Sequence, residues 1–244
     1  MTRKQVAIVT GAGSGIGGAI ARKLVSQGYH VFGADIAWRG DGDDPRDHGI
    51  LRKTCNVRKT DEIRKLFSDC MATEGRLDVL VNSAGVSGRW KIADISDDDW
   101  NRVMEINLFG TFACMREAAN IMMAQKCGRI INIASNRGLH GLKNGSPYAA
   151  SKGAVLSLTK TGALELGAYN IGVFALLPGA TDTPLLRGTR TDADVAAIKD
   201  LNPPEHVADA IAPLLHPDAI TYNGACIPVA RREVRLISRN SRPQ

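Results

Sequence analysis

Gln5-Val6-Ala7-Ile8-Val9-Thr10-Gly11-Ala12-Gly13-Ser14-Gly15-Ile16-Gly17 is the stretch that decides the fold. Its first part, Gln5–Thr10, is an apolar run without strict alternation, the pattern of a strand covered on both faces of a parallel sheet. Gly11 ends the run. The glycines that follow allow a tight turn and a close approach of backbone to a phosphate. From Ile16 to Gln27 the apolar residues recur with a helical period, and Gly28 stops them. A helix that opens on a glycine turn presents free N–H groups and a positive dipole end to an anion. The next strand, His30–Asp35, closes on an acid. Strand, glycine turn, helix and acid together form the pattern of a dinucleotide cradle.

The same reading selects the dinucleotide. The Asp35 carboxylate can accept both hydroxyls of an adenosine ribose and repels a 2′-phosphate. Ser14 stands where a basic residue would help hold that phosphate, and Arg39, four residues beyond Asp35, is the competing feature. NAD is therefore the expected cofactor.

Further along, Leu77–Asn82, Arg129–Ala134 and Gly172–Leu177 repeat the apolar strand pattern, and long helical stretches cover about Asp97–Ala124 and Pro147–Ala168. Strands alternating with helices predict an α/β fold: a single Rossmann-type doubly wound domain, with a mostly parallel seven-stranded sheet and helices on both faces. Arg39–Gly49, rich in Gly, Asp and Pro, is expected to be a surface loop. All 244 residues fit one dinucleotide-binding and catalytic domain, with a short substrate lid at about 185–200 and a basic tail at about 231–244.

Composition narrows the setting. No apolar run approaches the roughly 20 residues of a membrane span, and Met1 to Lys4 lead straight into the first strand, so neither a membrane partner nor a signal peptide is expected. Five dispersed cysteines (55, 70, 114, 127 and 226) without a C-x-x-C pair read as reduced thiols in the cytoplasm, and no Cys/His cluster has metal-ligand spacing. The net charge of +6 is concentrated in Arg231, Arg232, Arg235, Arg239 and Arg242, read as a solvated or subunit-facing end and not as a nucleic-acid site.

Tyr148-Ala149-Ala150-Ser151-Lys152 carries the chemistry. Residues at i and i+4 share a helix face, and a fixed ammonium beside a phenol favours the phenolate and lowers its pKa from about 10. Such a pair suits a tyrosine that exchanges a proton with an alcohol or ketone oxygen.

These residues stand in a series of motifs that resembles the short-chain dehydrogenase/reductase family over roughly residues 5–229. Thr10 to Gly17 is similar to the family's T-G-x-x-x-G-x-G. Asn82-Ser83-Ala84-Gly85 matches its N-N-A-G, Asn107 its helix asparagine and Ser135 its active-site serine. Tyr148 and Lys152 match its Y-x-x-x-K, thirteen residues after that serine, and Pro178-Gly179-Ala180-Thr181-Asp182-Thr183 matches P-G-x-x-x-T.

The resemblance implies a catalytic set of Asn107, Ser135, Tyr148 and Lys152. It implies cofactor contacts from Gly11, Ser14, Gly15, Ile16, Gly17, Asp35 and Ile36, and from Asn56 and Val57. Further contacts are implied from Asn82, Ala84, Gly85, Tyr148, Lys152, Pro178, Gly179, Thr181 and Thr183. Asn107 is implied to hold a water that links Lys152 to solvent, and Thr183 the carboxamide of the nicotinamide. The usual assembly is a homodimer or homotetramer through the helices of Asn107 and Tyr148, where Gly153, Ala154 and Gly162 either permit close approach of a second copy or pack on the chain's own sheet.

Three departures stand out. Ser83 replaces an asparagine, Asn56 an aspartate, and Val229-Ala230-Arg231-Arg232 the common V-D-G-G.

The expected activity is interconversion of a secondary alcohol and a ketone with NAD. A catalytically idle NAD-binding sensor or scaffold, using the arginine-rich tail, is the alternative. Ligands of such sheets bind beyond the carboxyl ends of the strands, so Val86–Lys91, Asn136–Ser146 and Leu185–Lys199 are expected to line the substrate pocket. Arg89, Trp90, Arg137, His140, Lys143, Arg187 and Arg190 would give it a basic mouth suited to a polar or anionic small molecule.

Overall fold

The computed structural model describes residues 4–38 and 46–230. Its strands are β1 (Val6–Thr10), β2 (His30–Asp35), β3 (Arg46–Asp47), β4 (Ile50–Thr54), β5 (Val79–Asn82), β6 (Gly128–Ile133), β7 (Ile171–Pro178) and β8 (Cys226–Val229). They form one sheet in the order β3-β4-β2-β1-β5-β6-β7-β8. Seven of them run parallel, as expected; β3 adds a two-residue antiparallel edge.

β1 shows why a continuous apolar run was required. Val6 and Ile8 enter one hydrophobic cluster, while Ala7 and Val9 enter another. The first cluster lies under α2 (Thr60–Glu74) and α4 (Gly110–Gln125); the second lies under α1 (Gly15–Ser26). A strand with helices over both faces has no polar side to alternate with.

The expected loop Arg39–Gly49 needs correction. Its first part, through Asp44, and Pro45 lie outside the described residues. Arg46–Asp47 is not loop: it pairs with Ile50 and Leu51 across His48 and Gly49. Those two residues have φ of 50° and 82°, as a two-residue hairpin turn demands. β4 itself escaped the sequence reading because it lies near the sheet edge and only Ile50 is fully buried.

The helical stretch expected over Asp97–Ala124 is interrupted. α3 (Asp97–Met104) starts at Ser96, whose hydroxyl accepts from Asp99 N at 3.1 Å. A π-helical turn follows at Glu105–Phe109, and α4 then continues. A π-turn inserts an extra residue into the helical ladder, and here it carries Asn107.

α5 (Arg137–His140) leads to α6 (Ser146–Leu166), which holds Tyr148 and Lys152. The segment expected to be the lid contains α7 (Pro184–Arg187) and α8 (Asp192–Ala196). Its base is closed by a parallel bridge between Thr181 and Asn202, with Asp182 N donating to Asn202 O and Asn202 N to Ala180 O, both at 2.8 Å. The tail 231–244 lies outside the described residues.

Small residues of α6 are used within the chain. A Cβ on Gly162 would meet Met115 Cε at 2.9 Å, and one on Gly153 would meet Gly138 O at 3.2 Å. These two glycines therefore pack on the chain's own elements.

Candidate active site

The glycine turn is built around contacts that leave no room for side chains. A Cβ on Gly17 would lie 2.1 Å from Gly11 O, and Gly11 itself has φ of +69°. Ser14 is the N-cap of α1, yet its side chain caps nothing, and the first helical turn holds no acid. The dipole and free N–H groups of that helix end thus remain available to an anion. Asp35 is fixed beside the turn, accepting from Gly13 N at 2.9 Å and from Ala37 N at 3.2 Å. Thr10 Oγ1 ties β1 to the next crossover by accepting from Ser83 N and Ala84 N at 3.2 and 3.3 Å.

Over the carboxyl ends of the strands, where β1 parts from β5, lies a cavity of about 350 Å³. Sheet-order reversals of this kind open a crevice for ligands. Gly11, Ser14, Gly15, Ile16 and Gly17 line it from the glycine turn. Asp35, Ile36, Asn56 and Val57 enter from the ends of β2 and β4, and Ala84 and Gly85 from the end of β5. Pro178, Gly179, Thr181 and Thr183 close it beyond β7.

Asn82 is the exception among the expected cofactor contacts: it does not line the cavity. It sits opposite Asn132 in the β5–β6 ladder, and its Nδ2 donates to Asn132 Oδ1 at 2.9 Å. Asn132 Nδ2 in turn donates to Thr159 Oγ1 of α6 at 2.9 Å. This buried chain ties two strands to the helix of Tyr148.

Ser135, Tyr148 and Lys152 all line the same cavity. Ser135 follows β6 and accepts from Arg137 N at 3.2 Å. Tyr148 lies in the first turn of α6. Burial pushes its phenol above the usual range, opposed by a hydrogen bond with Ser135 and by the charge of Arg137. Lys152 is buried, 5% exposed, and its Nζ lies 5.8 Å from the Tyr148 ring centroid while donating to Ile133 O at 2.7 Å. Burial lowers its pKa to about 8. Burial thus sets the direction for both groups.

Asn107 does not reach the cavity. It is fully buried, and its amide is committed. Nδ2 donates to Val86 O at 2.9 Å and to Ser151 Oγ at 3.0 Å, while Oδ1 accepts from Val86 N at 2.8 Å. Both of its N–H groups are therefore occupied by protein, and Thr111 Oγ1 donates to its backbone carbonyl at 2.8 Å.

The basic mouth is narrower than the loops suggested. Arg89, Arg137 and Arg190 line the cavity; Trp90, His140, Lys143 and Arg187 do not. Trp90 lies over the backbone of Gly88, where a Cβ would come within 1.8 Å of its ring. Arg187 is held away by Asp182, which it grips with two bonds of 2.7 and 2.9 Å. Sequence reasoning missed Cys55, Ser83 and Ile106 as wall residues. Their positions next to Asn56, Ala84 and Asn107 were the available signal.

This site fits a nicotinamide dinucleotide. The glycine cradle, the uncapped helix end and the carboxylate beside it present the donors and acceptors that a pyrophosphate and a ribose need.

The short chain dehydrogenase family profile matches residues 5–194. The chain is 38% identical over 237 residues to cis-4-hydroxycyclohexanecarboxylate dehydrogenase of Sinomonas cyclohexanicum, covering 93% of this chain and 95% of that protein. The ligand-free aldohexose dehydrogenase of Thermoplasma acidophilum superposes with a TM-score of 0.83 at 30% identity, over 93% of this chain and 92% of that one. A substituted actinorhodin polyketide ketoreductase with NADPH gives a TM-score of 0.82 at 32% identity, over 93% and 95%.

Proposed function

The chain belongs to the short-chain dehydrogenase/reductase family, and we propose that it is an NAD-dependent oxidoreductase that interconverts a secondary alcohol and a ketone, with Tyr148 as the acid and base. The observation that carries this reading is the single cavity joining Ser135, Tyr148 and Lys152 to the glycine turn and Asp35. A nicotinamide held by that cradle supplies the hydride acceptor in oxidation and the hydride donor in reduction.

The chain's own residues handle the oxygen. Tyr148 accepts the hydroxyl proton as an alcohol becomes a carbonyl and returns it in the reverse direction. Ser135, which lines the cavity with Tyr148, donates to the substrate oxygen and stabilises charge that develops there. Lys152 is mostly protonated at neutral pH, below its value of about 8, and its charge favours the phenolate. Asn107 is a positioning residue: it anchors Val86 of the cavity wall and the turn of Ser151.

Asp35 supports NAD over NADP. Two backbone N–H groups fix its carboxylate at the cavity wall, where a 2′-phosphate would meet a like charge. Exposed Phe112 on α4 and Leu164 on α6 support assembly into a homodimer or homotetramer through these helices. Five free thiols support a reducing, cytoplasmic setting. The Sinomonas relative is named for a hydroxycyclohexanecarboxylate, itself a ring-borne secondary alcohol.

The test combines binding with turnover. NADH and NADPH affinities are measured by calorimetry, and a panel of secondary alcohols and ketones is followed by absorbance of the reduced nicotinamide. We expect NADH to bind more tightly and Tyr148→Phe to lose roughly 10²–10⁴-fold in kcat while still binding NADH. Tight NADPH with weak NADH would overturn the cofactor assignment. Tight NADH with no turnover of any substrate would favour an idle sensor.

A further inference from the structure

We propose that Arg89, Arg137 and Arg190 form a receptor for a carboxylate on the substrate, so that the enzyme acts on a hydroxy acid or oxo acid. This deepens the reading of the cavity as an alcohol dehydrogenase site and rests on it. The three guanidiniums come from separate segments: the crossover after β5, the start of α5, and the lid between α7 and α8. All three line the cavity that Tyr148 lines.

None of the three is held in a close ion pair. Among the described residues no ion pair within 4.0 Å reaches any of the three, whereas neighbouring Arg187 is doubly bonded to Asp182. Asp194 attracts both Arg89 and Arg190 from beyond ion-pair distance, and its carboxylate accepts from Thr191 N and Thr191 Oγ1 in the capping box of α8. Arg190 Nε is buried with no hydrogen-bond partner. A buried N–H without an acceptor is costly, and a ligand oxygen would relieve it. Arg89 spends one weak bond, 3.3 Å, on Lys143 O and keeps the rest of its fork.

Repulsion shows how close the group is. Burial lowers the Arg89 pKa, and the charges of Arg190 and Arg137 lower it further. Converging like charges of this kind are stabilised by an anion placed among them. Guanidinium is also suited to the planar, two-oxygen acceptor that a carboxylate presents. The charge of Arg137 also reaches Tyr148, and both residues line the same cavity. Val86, Leu142, Leu185 and Leu186 line the same cavity and suit an apolar body between the two ends.

The test uses the enzyme–NADH complex and two probes of equal shape, cyclohexanecarboxylate and cyclohexanecarboxamide, titrated by nicotinamide fluorescence. We expect the carboxylate to bind at least about 10-fold more tightly, with the preference falling as salt rises. Arg89→Gln, Arg137→Gln and Arg190→Gln should each bring the carboxylate-to-amide ratio down toward unity. Arg102→Gln, on the exposed side of α3, should leave it unchanged. In turnover, 4-oxocyclohexanecarboxylate should exceed its methyl ester in kcat/KM by a similar factor. Equal binding of acid and amide overturns the receptor. So do variants that weaken NADH itself and leave the ratio untouched, for the arginines then serve the cofactor's phosphates. Carboxylate preference lost in the arginine variants, without turnover of any ketone, would retain the anion receptor and sink the dehydrogenase reading instead.

Discussion

Asn107 holds Val86 by both of its backbone groups, accepting from Val86 N at 2.8 Å and donating to Val86 O at 2.9 Å. This pair of hydrogen bonds fixes the chain just beyond Gly85, on the cavity wall, to the π-turn that interrupts the long helix.

Asn107→Ala strands the Val86 N–H and C=O on the half-buried cavity wall, while Ser151 Oγ keeps its bond to Tyr148 O. Each buried polar group left unpaired costs about 1–3 kcal/mol. We therefore expect a loss of about 2–4 kcal/mol in chemical unfolding, together with a fall in kcat. A full-strength kcat in a destabilised variant would show that the wall keeps its shape without this anchor.

Lys152→Met should stabilise the protein at neutral pH while abolishing turnover. The folded state holds Lys152 at about 8, against the ordinary value of 10.5. Below pH 8 both states are protonated and the folded state carries the full cost of a buried cation. Between pH 8 and 10.5 only the unfolded state binds the proton, so wild-type stability rises with pH through that window. The variant escapes a cost of up to about 3 kcal/mol, less the lost bond to Ile133 O. Its advantage in melting temperature should therefore shrink from pH 7 to pH 10.5. An advantage that does not change with pH would refute this account.

Ser135→Ala and Arg137→Gln should both move the pH profile of alcohol oxidation upward. Each residue opposes the burial that raises the Tyr148 phenol, so removing either leaves more base needed to ionise it. The limb of log kcat/KM against pH is the measurement. A limb that stays in place in both variants would mean that another group controls it.

Gly17→Ala should damage the turn before it damages chemistry. The added methyl would stand 2.1 Å from Gly11 O, a backbone atom that cannot swing aside. Overpacking of this sort costs about 1–3 kcal/mol or more, and NADH affinity by calorimetry should fall with it.

The reading of the amino-acid chain reached some of these features and not others for physical reasons. His30–Asp35 was found to the residue because its buried centre, Val31–Ala34, is unbroken by polar residues and its ends are marked by His30 and Asp35. β4 was missed because an outer strand needs few apolar residues; Ile50-Leu51-Arg52-Lys53-Thr54 carries only two. The π-turn was invisible, since Glu105–Phe109 keeps helix-forming residues and only the ladder changes. Asn107 was singled out by its motif, but its pair of hydrogen bonds to Val86 depends on a segment 21 residues away. Asn82 was read as a cofactor contact from the motif Asn82-Ser83-Ala84-Gly85; its bond to Asn132, 50 residues off, is not legible from that motif. Of seven basic or aromatic loop residues, the three that face the cavity were separated from the rest by partners such as Asp182 that spacing does not reveal.

The bridge between Thr181 and Asn202 also bears on how such an enzyme can acquire new substrates. The segment that it brackets leaves and rejoins the framework at adjacent points. A loop pinned in this way can be lengthened, shortened or exchanged wholesale at small entropic penalty, about 0.6 kcal/mol for each doubling. Thr183 and the proton-handling residues stand on the framework or at the bracket's root, while Arg190 travels with the insert. Exchange of the 184–201 segment would therefore replace Arg190 while leaving Arg89, Arg137, Thr183 and the proton-handling residues in place.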